Sequence, residues 1–70
     1  SIPANIREAF GRREGGERNQ FLRYSRGSTD ETSEHLRSNF AAQRLSAPQY
    51  WRLHKRLRVI RKMLTKIIGD

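Results

Sequence analysis

The sequence contains no cysteine. Disulfides, thiol catalysis, CxxC redox chemistry and every cysteine-bearing zinc site are excluded with it. The missing disulfides matter, because a chain of 70 residues hides only about 60% of the surface its unfolded form exposes. Strong apolars are also scarce. Leu, Ile, Val and Phe together make up 15 of the 70 residues, just above the level of about 20% below which a highly charged chain stays disordered. Val59 is the only valine and no alternating β-branched run exists, so no strand pattern competes with helix. No stretch approaches the roughly 18 apolar residues of a membrane span, and no apolar segment with a small-residue cleavage site stands near the start. A soluble, cytoplasmic chain is therefore expected. Acids are few as well: 7 against 15 basic residues, 12 of them Arg, for a net charge of +8. Such a balance favours anionic partners, since guanidinium forks suit phosphate. The length allows one small folding unit and leaves no room for a large enclosed active site.

What is present is helical patterning. Ser46-Ala47-Pro48-Gln49 has the form of a capping box, with Pro48 tolerated in the first turn and Leu45 and Tyr50 placed as a hydrophobic staple. Tyr50, Leu53, Leu57, Ile60, Leu64 and Ile67 then recur at a/d spacing, and Gly69 stands where a glycine stops a helix. A helix over 47–68 follows. In the middle, Ser28 and Glu31 could cap a new helix after Gly27, but positions 22, 25, 29, 32, 36, 39 and 43 form a stripe free of charge straight through that glycine. One long helix over about 17–44 is the better reading, with Ser25, Thr29 and Thr32 giving a small, polar seam. Ile2, Ile6 and Phe10 share one face of a short helix over about 1–12, which the glycines of Gly11 to Gly16 then interrupt. The chain is expected to be all-α, with antiparallel helices joined by short connections.

Particular residues carry a resemblance. Ser1-Ile2-Pro3-Ala4-Asn5-Ile6, Phe10-Gly11-Arg12, Phe21-Leu22-Arg23, Arg26-Gly27-Ser28 and Ile60-Arg61-Lys62-Met63-Leu64 resemble the bacterial four-helix bundle proteins encoded in intervening sequences of large-subunit ribosomal RNA genes. The resemblance covers nearly the whole chain. It implies an up-down four-helix bundle in which the first helix and part of the second precede Ser1, so the chain is expected to be the C-terminal portion of a longer protein. It further implies assembly as a homo-oligomer, in rings of five, and distant kinship to the accessory proteins of diversity-generating retroelements, which bind nucleic acid and a reverse transcriptase. No catalytic residue carries over. Thr29 and Thr32 depart from the family pattern, where Leu is common.

Charge concentrates at one end. Residues 46–70 hold Arg52, Lys55, Arg56, Arg58, Arg61, Lys62 and Lys66 against Asp70 alone. At 100° per residue Trp51, Lys55, Arg58 and Lys62 fall within about 60° of one another, opposite the apolar seam. A tryptophan among cations suits nucleic acid, the indole stacking on a base while the cations follow phosphates. The competing reading is a solvated basic face with Trp51 packed against another segment or subunit. The expected nucleic-acid contacts are Arg12, Arg13, Trp51, Lys55, Arg58, Lys62 and Lys66, with RNA favoured over DNA; the rival is a structural or protein-interaction module with no nucleic-acid role. Gly11 to Gly16 copies the glycine spacing of a P-loop, but no strand precedes it and Glu17-Arg18 replaces the required Lys-Ser/Thr. His35 and His54 lack a third ligand for a metal, and no nucleophile has a positioned base. No enzyme activity, cofactor or small-molecule substrate is expected. The last helix resembles a cationic amphipathic membrane binder, but its a/d regularity favours a helix partner over a lipid surface.

Overall fold

The computed structural model describes residues 15–70. Within them the chain forms two helices, α1 (Gly15–Ala41) and α2 (Ala47–Ile68), and no strand. The helix expected over 1–12 lies outside the described residues. As the charge-free stripe requires, α1 continues through Gly27. Its bounds differ from the expected 17–44, because it already includes the glycine pair at its start and stops at Ala41.

The early stop has a local cause. Gln43 adopts the left-handed conformation, with φ of 61°. The Arg44 amide then donates to the Asn39 carbonyl at 2.9 Å, and the Gln43 amide to the Phe40 carbonyl at 3.0 Å. This pair of bonds is the Schellman motif, built around a residue where glycine is favoured. The Arg44 guanidinium also donates to Asn39 Oδ1 at 3.1 Å.

At α2 the expected signals operate. The Ser46 amide donates to Gln49 Oε1 at 2.9 Å and the Gln49 amide to Ser46 Oγ at 3.3 Å, closing the capping box. Pro48 occupies the first turn, where its missing N–H costs nothing. At the other end Gly69, with φ of 90°, donates its amide to the Thr65 carbonyl at 3.0 Å.

Cross-helix pairs set direction and register. Phe40 stacks on Tyr50 with ring centroids 4.3 Å apart. Farther from the loop, Arg61 Nε donates to Asp30 Oδ1 at 2.8 Å, Arg26 to Thr65 Oγ1 at 3.0 Å, and Arg26 and Arg23 to the Asp70 carboxylate at 2.7 and 3.3 Å. Each step back along α1 meets a step forward along α2, so the helices are antiparallel. The less exposed positions include Leu22, Arg26, Thr29, Ser33, Leu36 and Phe40 in α1 and Tyr50, His54, Leu57, Leu64 and Ile68 in α2, which places these faces inward. Leu22, Tyr50 and Ile68 are buried, together with Thr29, whose hydroxyl donates to the Ser25 carbonyl at 2.9 Å.

These faces correct the expected seams. Leu22, Thr29 and Leu36 of the first stripe, and Tyr50, Leu57 and Leu64 of the second, do face the partner helix. The alternate positions are mostly more exposed. Arg26 and Phe40 beside the first stripe, and Ile68 beside the second, contact the other helix or are buried, while Ser25 and Asn39 stay half-buried. Thr32 is exposed, as are Leu53, Ile60 and Ile67 at 39%, 44% and 37%. The reason is geometric. An apolar stripe marks the centre of all surface a helix can bury, and a single neighbour takes only one flank of it.

Candidate nucleic-acid interface

Helical geometry divides α2 into three sectors. With Tyr50 at zero and 100° per residue, the face against α1 spans about 40° to either side. Leu53, Ile60 and Ile67 lie at about −60° to −100°, and Trp51, Lys55, Arg58, Lys62 and Lys66 at about +80° to +160°. In an antiparallel pair, equal angles of one sign fall on the same side of the hairpin. Leu53, Ile60 and Ile67 thus share a side with Ser25, Thr32 and Asn39 of α1. The Trp51 sector lies on the other side.

Every residue of that basic sector is exposed, Trp51 at 57%. Lys55, Arg58, Lys62 and Lys66 form no ion pair among the described residues, whereas the nearby acids are occupied. Asp30 holds Arg61, Glu34 holds Arg37 at 2.7 Å, and Asp70 holds Arg26 and Arg23. The Glu34 hydrogen bond raises the pKa of Arg37, and the Arg26 hydrogen bond holds the Asp70 carboxyl below its usual range. Anion-binding capacity on this side is therefore left to the cations of α2.

Trp51 sits at the loop end of this row, held by other rings. Its indole stands nearly perpendicular to Tyr50 at 4.9 Å and to His54 at 5.3 Å, and His54 lies over Tyr50 at 5.7 Å. With Phe40 on Tyr50, four rings form one cluster that ties the tip of the hairpin to Trp51. Edge-to-face contacts of this kind fix a ring's orientation.

The 23S rRNA-intervening sequence protein family model matches residues 1–66. The chain belongs to this family. The chain matches no curated protein and no solved structure significantly. The family description carries no activity, so function has to be argued from the side chains this family member presents.

The structure thus brings together Trp51, Lys55, Arg58, Lys62 and Lys66, five of the residues singled out in the sequence. Arg12 and Arg13 lie outside the described residues. Two further cations join the site that the sequence pattern did not mark. Arg52 and Arg56 are exposed and, with Lys55, Val59 and Ile60, line an open depression beside the apolar flank. Their charge is visible in the sequence, but only the hairpin register shows that they border uncovered apolar surface. Among the described residues no cluster of three or more His, Cys, Asp or Glu could hold a metal ion. His54 packs in the ring cluster and His35 is exposed on α1. No helix among the described residues is long and apolar enough to cross a membrane.

Proposed function

We propose that this chain is a non-enzymatic accessory protein that binds nucleic acid, RNA in preference to DNA, through the basic outer face of α2, and that it works as a homo-oligomeric helical bundle. One observation carries the reading: the row of cations that form no ion pair among the described residues, with Trp51, lies on the opposite side of α2 from Leu53, Ile60 and Ile67. A partner on the flank of Leu53, Ile60 and Ile67 would lie across α2 from this row, and packing of α2 on α1 does not require the row. In this reading α1 and α2 belong to an up-down four-helix bundle, further helices cover the apolar flank, and the copies assemble as the rings of five that the family resemblance implies. Arg12 and Arg13 add phosphate contacts.

The uncovered flank favours a second reading, a structural or protein-interaction module without a nucleic-acid role. Salt separates the two. Each neutralised phosphate adds about 0.7 to 0.9 to the slope of log affinity against log salt, whereas an apolar interface barely responds. For the protein carrying both Lys55→Glu and Lys62→Glu, we expect weaker binding to every RNA tried, a slope smaller by that amount for each phosphate no longer neutralised, and unchanged helicity by circular dichroism. Unchanged affinity in this variant overturns the assignment to α2.

A further inference from the structure

Resting on that reading, we infer that the basic face of α2 accepts an unpaired strand, with one base stacked on Trp51 at the hairpin tip and the backbone running along Lys55, Arg58, Lys62 and Lys66 toward the open end.

The first support is where Trp51 lies. A large exposed aromatic commonly marks a place where another protein segment packs. Here the surface awaiting such packing is the side with Leu53, Ile60 and Ile67, and Trp51 faces the opposite way, amid cations. A helix seated on Leu53, Ile60 and Ile67 alone would lie on the other side of α2 from it. The second support is how Trp51 is held. Tyr50 and His54 fix the indole from within the hairpin, yet 57% of the residue stays exposed. A stacking platform that is oriented in advance loses little rotamer freedom when a ligand settles on it.

The third support is the layout of the charges. At 1.5 Å rise per residue the cations stand about 6, 10, 16 and 22 Å along the helix axis from Trp51. They form one narrow file, starting at the aromatic. A single flexible backbone can follow such a file. A paired duplex presents phosphates on two strands, and it is gripped across a groove by patches set apart from one another. Inside a duplex each base is also covered above and below by its neighbours, so an indole has nothing to stack on except at an end. An aromatic followed by a file of cations is the arrangement by which proteins hold single strands, without much choice of sequence.

Trp51 is the only tryptophan, so the fluorescence of the full chain reports this position alone. The experiment titrates the protein with a 20-nucleotide oligoadenylate and with the same strand annealed to oligouridylate, following indole emission and the anisotropy of an RNA label together. The expected result is quenching and tighter binding with the single strand, and weak binding without quenching for the duplex. Trp51→Ala should lower single-strand affinity about 10-fold or more and leave the duplex affinity and the salt slope unchanged. Trp51→Phe should restore most of the loss, with circular dichroism confirming the fold of both variants. Equal binding of the two RNAs with no quenching overturns this inference and leaves the nucleic-acid reading standing. Binding of neither RNA overturns both.

Discussion

The two helices of the hairpin obtain their structure from different sources. α2 is specified locally: a capping box and Pro48 start it, Gly69 stops it, and apolar residues recur along its whole length. α1 is longer but weaker in its end signals, its interior and its apolar face. It carries Gly27 in its interior, stops on a left-handed glutamine, and sets Thr29 and Ser33 in the middle of its contact face. Ser25, Thr29 and Thr32 also donate their hydroxyls to the carbonyls four residues back, which weakens a helix slightly. α1 therefore depends on α2, through the apolar ends of its face and through charged pairs. The functional contrast runs the same way. α1 holds four acids, of which Asp30 and Glu34 pair with arginines, whereas α2 is acid-free and most of its cations form no ion pair among the described residues.

If α1 depends on packing at the ends of its face, truncating one of those side chains should be the most damaging change. Leu22 is only 4% exposed, at the open end of the hairpin. Leu22→Ala is expected to cost about 2 to 5 kcal/mol, the range for removing a buried leucine side chain and leaving a cavity. Arg58→Ala, on the exposed face of α2, should cost under about 0.5 kcal/mol. Urea unfolding followed by circular dichroism measures both. Similar costs for the two would mean that the hairpin face is misassigned.

This contrast also explains what can be read from the sequence. The bounds of α2 are legible because its start and stop signals are side chains with dedicated chemistry. The end of α1 is not, because a Schellman stop at Gln43 uses backbone bonds and a residue type that gives no warning. The contact faces are half legible. Choosing the stripe of α1 by its freedom from charge discards the column of Arg26, Ser33 and Phe40, and with it the aromatic that stacks on Tyr50. Arg26 tolerates that column only because its head reaches Asp70 and Thr65 at the open end, a contact between residues far apart in the chain. The row of Trp51, Lys55, Arg58, Lys62 and Lys66 is legible, since residues on one helix keep their angular relation whatever packs against them, whereas the part of Arg52 and Arg56 is not. That Phe40 stacks on Tyr50 and ties this ring cluster to α1 emerges only from the folded hairpin.

The next largest effects should come from repairing α1. Gly27 lies mid-helix, and a Cβ added there meets nothing within 4 Å. Gly27→Ala is expected to stabilise the protein by about 1 kcal/mol, the difference in helix propensity together with the reduced freedom of the unfolded chain. The thermal midpoint should rise accordingly. A fall would show that some other surface approaches this glycine closely in the assembled protein, and would locate that surface on α1.

Gln43→Gly should help by less. The left-handed conformation costs a residue with a Cβ about 1 kcal/mol or more, and glycine removes that strain. Glycine also adds freedom to the unfolded state, which returns part of the gain. A net stabilisation of about 0.5 kcal/mol is expected by denaturant unfolding. No change, with the helical content unaltered, would mean that the Arg44 to Asn39 bond alone holds the stop.

The smallest expected effect concerns the clasp that joins the two helices at their open end. Hydrogen bonds from Arg26, and then from Arg23, hold the Asp70 carboxyl below its ordinary value of 3.8. A depressed carboxylate contributes stability that is fully present above the unfolded value and is lost as pH falls through the lower folded one. The clasp should therefore be intact at neutral pH and disappear only in strong acid, below about pH 3.8. Because the carboxylate is exposed, the loss is modest and shrinks as salt is added. The check is a comparison of Asp70→Asn with the unsubstituted protein by thermal unfolding across that range, since the difference cancels the titration of other acids. The variant should melt slightly lower at neutral pH in dilute buffer and coincide with the parent in strong acid. A difference that persists in strong acid would mean that Asp70 holds α1 by packing or neutral hydrogen bonds, and that charge is not what ties the weaker helix to the stronger.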